Sequence, residues 1–136
     1  MISSELIEWV VGNRRYSSFN DPLCISDSTR LKRIVIGDEC FGKVRLFELD
    51  GLSELESIEI GKKSFGISTV DKRNDSSYRI VNCPKLQSIA IGDWSFCDYH
   101  SFELTGLPSL HSIDIGGWCF RSTQSFRLTG LLDRLE

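Results

Sequence analysis

The feature that most constrains this chain is an eleven-residue phrase stated three times: LESIEIGKKSF from Leu55, LQSIAIGDWSF from Leu86 and LHSIDIGGWCF from Leu110. Two looser copies of its first seven residues come before, LIEWVVG from Leu6 and LKRIVIG from Leu31, so the five starts lie 25, 24, 31 and 24 residues apart. Self-similarity at a period in the twenties marks a solenoid, in which each coil buries its apolar side only by stacking on the next. A second short motif recurs in every unit: Leu23-Cys24-Ile25, Phe47-Glu48-Leu49, Tyr78-Arg79-Ile80, Phe102-Glu103-Leu104 and Phe126-Arg127-Leu128. Both motifs alternate apolar with variable residues, the period of a half-buried strand. Each coil is therefore expected to have two extended arms facing one another across a core, and the stack to form two parallel sheets with rungs about 4.8 Å apart.

The columns of this alignment predict structure position by position. Gly12, Gly37, Gly61, Gly92 and Gly116 share one column, expected where the chain leaves the first strand in a conformation that a Cβ would hinder. Tyr16, Phe41, Phe65, Phe96 and Phe120 follow four residues later and predict an aromatic spine. After the second strand come Asp27, Gly51, Asn82, Gly106 and Gly130, residue types that tolerate positive φ. Glu48, Arg79, Glu103 and Arg127 alternate in sign on successive second strands, so each has opposite charge for a neighbour.

These repeats resemble the leucine-rich-repeat family, with Leu-x-x-Ile-x-Ile in place of Leu-x-x-Leu-x-Leu. The Ile-Gly-x-x-Ser/Cys-Phe element is most similar to the BspA-like subclass. The match runs from Leu6 to about Leu131. The position where that family has asparagine carries Arg14, Glu39, Lys63, Trp94 or Trp118, so no asparagine ladder is expected. The fold implied is mainly β: a single right-handed solenoid over residues 1–136, with about five repeats at 6–30, 31–54, 55–85, 86–109 and 110–134 and two short parallel sheets. The extra Phe-x-Leu strand implies a flatter solenoid than a strand-helix horseshoe. The resemblance also implies a scaffold for protein recognition through the first sheet.

Three regions are candidate partner-binding surfaces. Outward first-strand positions vary between coils: Val10, Val35, Glu59, Ala90 and Asp114 in one column, Ile7, Lys32, Glu56, Gln87 and His111 in another. Variation on a constant frame is how a repeat protein displays a recognition surface, and it is also what drift produces. Trp94 and Trp118 hold the same position in adjacent coils and are expected about 5 Å apart, as an interface anchor or as cover for an edge. The third is an insertion. Twelve residues separate Phe65 from Tyr78, against five between Phe41 and Phe47, and residues 66–77 form a polar loop with Lys72 and Arg73 near its tip.

Composition narrows the function classes. A net charge of −3 gives no general attraction to nucleic acid, and no apolar run is long enough for membrane insertion. Five irregularly spaced cysteines read as free thiols; with no signal peptide visible this favours the cytoplasm, with a surface or secreted location left open. No cofactor motif is present. His111, Ser112 and Asp114 project to different faces, Cys97, His100 and Cys119 lack a fourth zinc ligand, and Asp38, Asp93 and Asp114 read as acids scattered over different columns. A non-catalytic interaction scaffold is expected. The alternative is an assembly unit that self-associates through its solenoid ends, since Leu135-Glu136 either opens a further repeat or is a vector scar.

Overall fold

The computed structural model of the protein describes residues 4–66, 76–121 and 123–131. The first motif forms β1 (Glu8–Val11), β3 (Arg33–Ile36), β5 (Ser57–Ile60), β7 (Ser88–Ile91) and β9 (Ser112–Ile115). The second forms β2 (Leu23–Ile25), β4 (Leu46–Asp50), β6 (Ser77–Val81), β8 (Ser101–Leu107) and β10 (Ser125–Leu131). No helix occurs among the described residues. Odd-numbered strands make one five-stranded parallel sheet and even-numbered strands make the other, each in chain order, so the chain is a β-solenoid of about five turns.

Register follows the columns. Ile34, Ile58, Ile89 and Ile113 lie side by side in the first sheet, and Phe47, Tyr78, Phe102 and Phe126 in the second. The 31-residue unit does not shift either sheet, because its extra residues fall between β5 and β6. Along β1 to β8 the inward side chains are buried and meet in one core, whereas in the last turn Ile113 is half-buried and Ile115, Phe126 and Leu128 are exposed. Tyr16, Phe41, Phe65, Phe96 and Phe120 form a single file with centroids 5.0, 5.2, 4.6 and 5.3 Å apart and nearly parallel rings. A second file, Phe47–Tyr78–Phe102, stacks at 5.4 and 5.1 Å beside it. Each well-packed ring pair adds about 1 kcal/mol beyond the area it buries.

The glycine column has a different cause from the one expected. Neither Gly37 nor Gly92 is in the left-handed region; each is small because the preceding turn lies against it. A Cβ at Gly92 would come within 2.8 Å of Gly61 C and of Lys62 N, both backbone atoms that cannot give way. The left-handed residues come two and four places later, at Arg14 and Tyr16, Glu39 and Phe41, Lys63 and Phe65, Trp94 and Phe96, and Trp118 and Phe120. After the second strand, Gly51, Asn82, Gly106 and Gly130 have positive φ as expected, whereas Asp27 does not.

Two polar columns tie the corner together. Asn13 Oδ1 accepts from Asp38 N, Asp38 Oδ1 from Lys62 N, and Asp93 Oδ1 from Gly117 N, each at 2.8 Å. Asp38 and Asp93 thus share a column with Asn13, which corrects their reading as scattered acids. These Asx acceptors join the first turn to the second, the second to the third and the fourth to the fifth, with a break at Lys62, so no continuous asparagine ladder forms. Inside this column, Ser64 Oγ accepts from Cys40 N and donates to Gly37 O, while Ser95 Oγ accepts from Ser64 N and donates to Gly61 O. Cys40 and Cys119 donate their thiols to Gly12 O and Gly92 O in the same way. All five cysteines are free.

On the second sheet the alternating charges meet as the sequence predicts: Arg79 bridges Glu48 and, at 3.1 Å, Glu103. Val44 and Tyr99 occupy one column in the second and fourth turns, and the buried Tyr99 hydroxyl reaches back to donate to Val44 O at 2.6 Å.

Candidate recognition groove

Residues two places after each column glycine adopt φ near +60°, which turns their side chains out of the core at the solenoid corner. For residues other than glycine this conformation costs on the order of 1 kcal/mol. Rung-to-rung hydrogen bonds offset it: Arg14 N donates to Asp38 O, Glu39 N to Lys62 O, Lys63 N to Asp93 O and Trp94 N to Gly117 O. Four places after the glycine the same backbone conformation sends the aromatic ring back inside. The corner is thereby a rigid outward row of Arg14, Glu39, Lys63, Trp94 and Trp118.

Trp94 and Trp118 stack with centroids 5.2 Å apart and planes 13° apart, the spacing the repeat predicts. They are 41% and 62% exposed. Since the stack runs along the solenoid axis, their indole edges face sideways into solvent and one face of each ring is covered by the other. The Arg121 guanidinium carbon lies 5.9 Å from the Trp94 centroid, within cation–π range, and Arg121 reaches Asp98 at 3.6 Å.

Beside this row runs a shallow groove of about 540 Å³, lined by Glu39, Lys63, Trp94, Cys97, Asp98 and Arg121 together with Gly42 and Gly66. The two glycines make its floor: a Cβ at either would meet nothing within 4 Å, so their lack of side chains opens the space and is not required by packing. Both signs of charge alternate along the walls. Burial raises the Cys97 thiol above its ordinary value although the Arg121 charge opposes the shift, so the sulfur in the groove is a neutral thiol near pH 7. Burial raises Cys119 in the same sense.

The other candidate residues lie apart from the groove. Glu59 and Asp114 share an outward column of the first sheet with Ala90 between them, and Glu59 is held at 3.5 Å by Arg33, which also reaches Glu8. His111 is exposed just before β9, with its Nδ1 3.3 Å from Ser109 O. Lys72 and Arg73 lie outside the described residues, but the insertion that carries them departs from Gly66, a groove residue. Sequence reasoning missed Arg121, Asp98, Glu39 and Lys63 as groove residues. Glu39 and Lys63 stood in the tryptophan column throughout; Arg121 and Asp98 needed the corner geometry to be placed.

Among the described residues no three His, Cys, Asp or Glu side chains converge as a metal site would require. No family model matches the chain, and neither a curated protein nor a solved structure matches it.

Proposed function

We propose that this protein is a non-catalytic scaffold that binds a protein partner through the corner groove, with the stacked Trp94–Trp118 pair as its anchor. The carrying observation is that two large indoles, costly to leave in water, are held exposed and parallel on a rigid left-handed corner. Tryptophan and arginine are the residues most enriched among interface hot spots, and here Arg121 lies against the pair. The glycine floor gives room for an extended segment of a partner, and Glu39, Lys63, Asp98 and Arg121 give it charges of both signs to match. The first-sheet column of Glu59 and Asp114, with His111, forms a second, flatter face apart from the groove. The fold type that fits the four Leu-x-x-Ile-x-Ile-Gly units and the looser Leu-x-x-Trp-x-Val-Gly unit at Leu6 is a right-handed leucine-rich-repeat solenoid of the BspA-like kind.

The test is affinity capture with the full chain, comparing the wild type, the double variant Trp94→Ser/Trp118→Ser and a control, Glu59→Gln. A specific partner bound by the wild type and by Glu59→Gln, but at least about 100-fold more weakly by the double variant, supports the groove. A partner that binds all three alike, while the double variant keeps its melting temperature, removes it.

A further inference from the structure

The column glycines contain an exception. At Gly37, Gly61, Gly92 and Gly116 a Cβ would come within 2.3 to 2.8 Å of the preceding turn. At Gly12 it would meet only Arg15 Nε, at 3.9 Å, and Gly12 has no positive φ to excuse it. Nothing among the described residues needs glycine there. A turn stacked in front of β1 would need it. The same corner is otherwise open. Val10, Tyr16 and Ile7 are exposed, and a hollow of about 490 Å³ is lined by Trp9, Val10, Val11, Gly12, Arg15 and Tyr16.

The opposite end offers what would fill that place. No strand among the described residues covers the outer edge of β9, and Ile115 and Trp118 beside it are exposed. Within each sheet the strands all run in one direction, so a copy added head to tail continues both the direction and the columns, whereas a tail-to-tail contact would reverse them. Continued in register, Gly116 of one copy lies against Gly12 of the next, Phe120 against the exposed ring of Tyr16, and the open face of Trp118 against the Arg14 guanidinium. The last pairing sets a cation on an indole, and none of these column matches opposes like charges. We propose that this protein self-associates head to tail, β9 of one copy pairing with β1 of a second copy around Gly12.

A head-to-tail contact does not close on itself, so it builds open chains of increasing size. Sedimentation velocity of the full chain over a wide concentration range is expected to show dimers, then trimers and larger species. Gly12→Val puts a Cβ where only Arg15 Nε lies within 4 Å, so its melting temperature is expected to hold within a few degrees while association weakens at least about tenfold. Trp118→Lys sets like charge against Arg14 and weakens association from the other side. Each variant keeps the surface that the other has lost, so their mixture forms a one-to-one heterodimer that grows no further. A wild type that stays monomeric, association that stops at a dimer, or association undiminished in folded Gly12→Val and Trp118→Lys overturns the proposal. Gly12 lies in the first turn and the groove in the later ones, so partner capture by Gly12→Val separates this inference from the recognition reading.

Discussion

Leu23 and Ile25 in the first turn are 4% and 6% exposed, whereas Phe126 and Leu128, in the same columns of the last described turn, are 60% and 52% exposed. The strands at the two ends obey one motif, so the motif does not set this difference. Residues outside it do. Phe19 packs edge-on against Phe41 and Tyr16, with centroids 6.1 and 6.4 Å away, and Leu6 lies against the same core. On the β2 side the first turn is closed by its own irregularities while its corner at Gly12 stays open, and β10 has no described equivalent of Phe19. A repeat therefore fixes the shape of each coil, while departures from the repeat fix what each end presents.

The largest expected effect contrasts the interior with the open end. Phe65 is fully buried between Phe41 and Phe96, and Phe65→Ala should cost about 4 kcal/mol in urea unfolding, against less than about 1 kcal/mol for Phe126→Ala. Equal costs would mean that the last turn is as closed as the middle. Next comes the glycine column. Gly92→Ala drives a Cβ into backbone and should cost about 3 kcal/mol, while Gly12→Ala stays within about 0.5 kcal/mol of wild type.

Alkaline pH reaches an interior thiol. Burial pushes the Cys83 thiol up to about 11 from 9.0, in a column that Ser28 opens in the first turn. A thiol that holds its proton more tightly when folded contributes stability below pH 9, and that contribution fades as pH rises towards 11. The loss is about 3 kcal/mol, and Cys83→Ala should flatten the decline of stability over that window. An unchanged slope would show that Cys83 ionises freely in the folded state. The smallest effect tests the closed end: Phe19→Ala should cost about 1 to 2 kcal/mol and render Trp9 more accessible to fluorescence quenchers. If Trp9 stays protected, some other group closes the first turn.

Much of this was legible because the period repeats. Five copies locate both strand sets, the Phe41–Phe65–Phe96–Phe120 file, the Glu48–Arg79–Glu103 ladder and the tryptophan pair, since residues in one column must stack once the coils are in phase. What the columns could not reveal depends on distance across coils. Gly92 is glycine because of Gly61 and Lys62 in the turn before it, a contact invisible along the chain. The column shared by Asn13, Asp38 and Asp93 is hidden along the chain because Lys62 and Gly117 occupy the same position in other turns. The hydrogen bond from the Tyr99 hydroxyl to Val44 O spans two turns, which no single repeat encodes. The groove needed two columns, Glu39–Lys63–Trp94 and Gly42–Gly66–Cys97, to be brought side by side by left-handed residues at positions where glycine is the usual choice.

The most direct test of in-phase stacking is solution NMR of aromatic side chains. Nuclear Overhauser contacts are expected between the rings of Phe65 and Phe96 and between Phe96 and Phe120, whose centroids lie 4.6 and 5.3 Å apart, with none between Phe65 and Phe120. A direct Phe65–Phe120 contact, or no contact across the 31-residue unit that separates Phe65 from Phe96, would contradict the account.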